Sequence, residues 1–252
     1  MCNYRNLARI LILSGATLLT LVSGCKSRMI QSSSEKTLYP ISVGQPVDSN
    51  MLAYYLPYKR NVDSLMNRVV AVSDIEIVKR RPEGPLNNLM ADAMYSTAKS
   101  KNIAFDIAYT NYGGLRVPLP KGDIPLNKVF ELMPFENLLT TVSFSGSDMQ
   151  LFLDYIAAAG GDPVSGVRFK IRDKKATDVT INGQPMDLKK SYTVLTSDYM
   201  ANGGDGGEIF LKATGRKIYD IKLRDAILIY LEQQTKDGKT LNPVIDGRIS
   251  LE

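Results

Sequence analysis

Apolar residues recur at two different spacings along this chain, and the switches between them mark out helices and strands. From Asn50 to Asn67 they fall near helical spacing, and from Arg68 to Lys79 the pattern changes to the alternation of a strand. Pro85 to Ala98 predicts a helix with Leu86, Leu89, Met90, Ala93 and Met94 on one face, and Pro85 suits a first turn. Phe105 to Thr110 is a short apolar run that reads as a buried strand. A helical turn over Leu126 to Leu132 leads into a strand over Leu138 to Ser145. Ser147 is the expected cap of a helix over Asp148 to Ala159, with Met149, Phe152, Leu153 and Ile156 inward and Gly160–Gly161 as its stop. Val167 to Ile171 and Asp178 to Ile181 read as strands, and Asn182–Gly183 as a hairpin turn leading to Gln184–Pro185–Met186. Tyr192 to Thr196 reads as a strand, Arg224 to Glu232 as a late helix, and Val244 to Leu251 as a closing strand. The expected fold class is α+β, a single domain with a mixed β-sheet and packed helices.

The N-terminus follows a different pattern. Arg5 and Arg9 form a basic stretch, followed by an apolar run from Ile10 to Val22 that is short for a membrane span and fits a secretory signal. It ends at Val22–Ser23–Gly24–Cys25, which resembles a bacterial lipoprotein box and implies lipidation of Cys25. The expected organisation is a signal peptide over residues 1–24, a flexible tether over 25–45 and a ligand-binding domain over 46–252. The expected location is the bacterial cell envelope, lipid-anchored to a membrane after secretion. About 210 residues then remain, enough for one domain with a full hydrophobic core. Cys2 leaves with the signal, so no disulfide is expected and the fold relies on packing. Loss of Arg5 and Arg9 lowers the formal charge from +5 to +3. That mild balance suits an anionic ligand or a membrane surface, and without a dense basic patch a nucleic-acid polymer is not an expected partner.

Candidate chemistry gathers in three loops. Asn111–Tyr112–Gly113–Gly114–Leu115–Arg116 turns at the end of the Phe105 strand and presents an Arg, whose planar fork suits phosphate. Met133–Pro134–Phe135–Glu136–Asn137 places a ring in a Pro-fixed corner between a helix and a strand. Asp198 to Gly206 sets the Tyr199 ring six positions before Asp205, across Gly203–Gly204. Glycine pairs at 113–114 and 203–204 let a ligand approach the backbone closely, because neither residue of a pair carries a Cβ. A ring and a carboxylate joined by such a turn can hold a base and the diol of a ribose. Each loop taken alone also fits a plain turn, with Phe135 a core corner and Arg116 paired to Glu131 or Asp123.

In this order the segments resemble the C-terminal domain of the 5′-nucleotidase family. The resemblance rests on Asn111 to Arg116, Pro134–Phe135, Leu138 to Gly146 and Tyr199 to Gly206, and runs from Met51 to the end of the chain. It implies a nucleoside or nucleotide ligand whose base lies between Phe135 and Tyr199. It implies ribose hydroxyls on Asp205, and base and phosphate contacts from Asn111 and Arg116. An upstream phosphate-binding Arg is matched by Arg80 or Arg81 without a choice between them. Tyr112 departs from the family, which usually has a small residue there.

The 252 residues contain no histidine. In the family the domain accompanies a metallophosphoesterase domain that holds two metal ions through His, Asp and Asn. Zinc- or iron-type metals are normally held by imidazole or thiolate, and this chain has neither the histidines nor the cysteines for such a centre. A carboxylate-only Mg²⁺ or Ca²⁺ site stays open in principle, but no acidic cluster has ligand spacing. The reading therefore assigns no catalytic residue, no metal ligand and no cofactor to the chain, and places divalent metals in a separate metallophosphoesterase partner. The function expected is substrate recognition in a split 5′-nucleotidase. A non-catalytic nucleotide-binding surface lipoprotein, or an interaction module on the same fold, stays open.

Overall fold

A computed structural model describes residues 33–38, 44 and 47–252. The chain divides into two units, Met1–Ser49 and Asn50–Glu252. The signal-type run and Cys25 lie outside the described residues, as does most of the Ser-rich stretch after Cys25. No helix among the described residues is long and apolar enough to cross a membrane.

The second unit is organised by a five-stranded mixed sheet. Strands are numbered in chain order: β1 Val69–Ser73, β2 Ile107–Tyr109, β3 Gly122–Pro125, β4 Leu138–Ser145, β5 Val164–Ser165, β6 Val167–Arg172, β7 Lys175–Ile181, β8 Gln184–Pro185, β9 Ser191–Ser197, β10 Thr214–Lys222 and β11 Ile249–Leu251. The central sheet has the order β10-β4-β9-β2-β5, with β4 antiparallel to β9 and β2 parallel to it. A second sheet runs β11-β6-β7-β8, and β1 pairs with β3.

Both faces of the central sheet are covered, which explains why β2 and β9 are apolar without clean alternation. Successive side chains point to opposite faces, so Val194 and Leu195 belong to different cores. One core lies under helix α2 (Pro85–Ser100) and helix α6 (Leu223–Lys236), with Met90, Met94, Ile227 and Leu231 fully buried. The other lies under helix α4 (Gly146–Ala158), where Phe152 stacks on Phe144 at 5.4 Å and meets Tyr109 and Phe210 edge-on at 5.1 and 5.2 Å. Such edge-to-face pairs suit the ring quadrupole.

Helix α1 (Ser49–Met66), helix α3 (Leu126–Leu132) and the single turn α5 (Asp198–Ala201) complete the α-helices among the described residues. Together with mixed sheets, they make the fold α+β, as the apolar spacing predicts. Three local expectations need correction. Ser145, not Ser147, caps α4: its Oγ accepts the Asp148 N–H at 3.2 Å. A Cβ at Gly146, in the first turn, would overlap the Leu188 backbone, so only glycine fits this close approach. The Arg68–Lys79 strand ends at Ser73, because Ser73 Oγ turns onto the Ile75 carbonyl at 2.7 Å. The strand expected over Val244–Leu251 is only Ile249–Leu251, because the Asp246 and Gly247 N–H groups go to the buried Glu83 carboxylate instead of a ladder. β10 was not foreseen: its first five residues are all exposed, leaving no alternation to read.

Candidate functional site

Topology brings the three loops to one end of the central sheet. Asn111 follows the C-terminal end of β2, and Tyr199 follows that of its parallel neighbour β9. β4 runs the other way, so its N-terminal end, preceded by Phe135 and Asn137, lies beside the end of β9, with Leu139 opposite Ser197. The Asp198 carboxylate ties these ends together by accepting from the Leu138 N–H at 3.1 Å and the Tyr199 N–H at 2.8 Å.

Between the loops is a cavity of about 300 Å³ lined by Asn111, Gly113, Gly114, Arg116, Phe135, Tyr199 and Asp205, with Met133, Asn137 and Leu223. That volume sits at the small end of ligand-binding clefts. Both rings therefore face one space, with Phe135 half-buried and Tyr199 exposed. Of the two glycine pairs, Gly113 and Gly114 line the cavity, whereas Gly203 and Gly204 do not. Gly203 has φ +84, and a Cβ on Gly204 would overlap the Tyr199 ring.

Each site side chain has a definable support. Arg224 is buried and donates to the Met133 and Phe135 carbonyls at 3.2 and 3.4 Å, fixing the corner that carries Phe135. It also pairs with Glu136, which Lys222 and Arg224 together hold down to about 2. Arg116 places its guanidinium 5.3 Å from the Phe135 ring centre and donates to the Gly113 carbonyl at 3.2 Å. Among the described residues it forms no ion pair, and Glu131 is bound instead to Lys128 at 2.6 Å. Asp205 accepts the Tyr199 hydroxyl at 2.7 Å and the Asn111 amide, and its own carbonyl accepts the Tyr155 hydroxyl at 3.2 Å. The carboxylate raises the Tyr199 phenol above its ordinary value by accepting its proton in a hydrogen bond.

Arg80 and Arg81 do not line the cavity. Arg81 is drawn behind the glycine loop, where it donates to the buried Asp162 at 3.1 Å and lies 4.5 Å over the Tyr112 ring. Asp162 also accepts the Tyr109 hydroxyl at 3.1 Å; burial pushes its carboxyl up to about 6, against the pull of Arg81 and Tyr109. Lys79, adjacent to the Arg pair, has the part foreseen for neither. Its ammonium donates to the Leu115 carbonyl at 2.7 Å and the Tyr112 carbonyl at 3.3 Å, which braces the loop. Burial and the neighbouring Arg116 and Arg81 charges lower its pKa. Tyr112 is thus the residue around which Lys79 and Arg81 pack, consistent with a large side chain at that position.

A protein-family model described as 5′-nucleotidase, C-terminal domain, matches residues 67–213, more than half of the chain. The chain belongs to the 5′-nucleotidase C-terminal domain family. It is 30% identical over 213 residues to the trifunctional nucleotide phosphoesterase protein YfkN of Bacillus subtilis, covering 76% of this chain and 14% of that protein. It is also 30% identical over 172 residues to a 5′-nucleotidase of Vibrio parahaemolyticus, covering 63% of this chain and 29% of the relative. Among solved structures, the 5′-nucleotidase precursor from Thermus thermophilus superposes with a TM-score of 0.66 at 27% identity, covering 80% of this chain and 42% of that one. The chain thus spans less than a third of the length of either the Bacillus or the Vibrio relative.

Two other cavities, of about 250 and 350 Å³, lack any such pair of rings and are lined largely by polar groups around Asp246 and Arg248. Among the described residues no group of three or more carboxylates, imidazoles or thiolates could hold a metal ion.

Proposed function

We propose that this chain binds the nucleoside part of a nucleotide and serves as the substrate-recognition portion of a 5′-nucleotidase. One observation carries the reading: Phe135 and Tyr199 line the same cavity as Asp205, Asn111 and Arg116. A planar base fits between two rings, and stacking stabilises it by roughly 1–3 kcal/mol without demanding one base sequence. A carboxylate accepts the sugar hydroxyls, and an unpaired guanidinium at the rim meets the phosphate. Membership of the family supports this reading, as do relatives called nucleotidase and nucleotide phosphoesterase.

The hydrolytic step belongs to a partner in this proposal. A histidine-free chain cannot build the His-containing dimetal centre of the family, and among the described residues no group of carboxylates is placed to hold a metal ion instead. A metallophosphoesterase outside these residues would hold the metals and supply the attacking water, while this chain presents the ester. Lipidation at Cys25 would keep the chain at the envelope surface.

Calorimetric titration with adenosine and AMP tests the binding claim. Wild type is expected to bind both, and Phe135→Ala to weaken each by roughly 10- to 100-fold. Unchanged affinity in that variant would contradict the stacking role.

A further inference from the structure

Tyr199 offers the cavity more than a ring. Its hydroxyl donates to Asp205 Oδ1 at 2.7 Å and accepts the Asp205 N–H at 3.2 Å, so one phenol holds both the side chain and the backbone of the same residue. Asn111 donates its amide to the other carboxylate oxygen. The Tyr155 hydroxyl holds the Asp205 carbonyl from a different helix. Asp205 itself takes φ +51 and ψ 35, a left-handed conformation uncommon for non-glycine residues but more accessible to Asp and Asn than to most.

We propose that the Tyr199 hydroxyl is a positioning group that fixes the Asp205 carboxylate as an acceptor for a vicinal diol, so that it sets selectivity for ribo- over 2′-deoxyribonucleosides. The inference deepens the nucleoside reading of this cavity and rests on it. An ionised carboxylate has about four acceptor positions, of which the Tyr199 and Asn111 donors occupy one on each oxygen. One position per oxygen remains, matching two adjacent hydroxyl donors. A carboxylate held in place meets the diol without first being ordered, whereas a free one loses that advantage. A site built to hydrogen-bond a hydroxyl rejects an analogue lacking it more strongly than an apolar pocket does.

Tyr199→Phe separates the two functions of the residue, because it keeps the ring and removes only the oxygen. Tyr199 is exposed, so the variant is expected to melt with wild type. Wild type and variant would be titrated calorimetrically with adenosine and with 2′-deoxyadenosine. Wild type is expected to prefer adenosine by about tenfold or more, and Y199F to reduce that ratio to about threefold or less, chiefly through weaker adenosine binding. A ratio unchanged in Y199F, or both affinities lowered by one factor, would overturn the positioning role. Wild type that binds both ligands equally would leave the nucleoside reading standing and overturn this proposal alone. Wild type that binds neither would remove the reading and the proposal together.

Discussion

Arg116 is the cation that the cavity leaves available. The only hydrogen bond of its guanidinium among the described residues is to the neutral Gly113 carbonyl, while Arg81 is engaged by Asp162 and Lys79 by two carbonyls of the loop. A guanidinium hydrogen-bonded to phosphate contributes about 1.5–3 kcal/mol. Arg116→Ala is therefore expected to weaken AMP roughly tenfold or more and leave adenosine within about threefold. Calorimetry with both ligands checks this, and equal losses for both would contradict a phosphate role. The three loops were legible because Pro134 and the glycine pairs announce turns. Phe135 also packs against the buried core, so its loop alone did not separate a site ring from a core corner, and the family resemblance did. The supports of the site residues were not legible. Arg224 lies 89 residues beyond Phe135, and Tyr155 lies 50 residues before Asp205. Local patterning carries no signal for such long-range bonds.

At the scale of elements, the site depends on the parallel pairing of β2 with β9 and the antiparallel pairing of β4, which place three loop-bearing ends together. Helices α2 and α4 were legible because their buried stripes recur at helical spacing and glycine or proline marks an end. Strand lengths were harder, since Glu83 and Ser73 each divert backbone groups by contacts remote in sequence or by a local side-chain turn. The element behind the glycine loop makes a pH prediction. Asp162 titrates near 6 in the folded chain, against an ordinary value near 3.8, because burial disfavours its charge. Between those values the folded chain holds a proton that the unfolded chain has released, so stability falls as pH rises through the window and levels off above it. The change attributable to this group is at most roughly 3 kcal/mol. Unfolding free energies measured from pH 4 to 7 are expected to show Asp162→Asn gaining on wild type as pH rises. A constant difference across that range would contradict the assignment.

For the whole molecule, family membership places the chain among nucleotidase domains, and the absence of histidine moves the proposed metal chemistry elsewhere. Composition alone carries that proposal, because no arrangement of a fold can supply an imidazole the chain does not contain. Adding this chain to a metallophosphoesterase that lacks such a domain is expected to raise phosphate release from AMP. Phe135→Ala should reduce that gain, and no gain over the phosphoesterase alone would contradict the partnership. The binding claim comes first, and a crystal structure of the chain with AMP tests it most directly. The base is expected between Phe135 and Tyr199, the ribose hydroxyls on Asp205 and the phosphate at Arg116. AMP seated away from both rings, or absent from the cavity at saturating concentration, would contradict it.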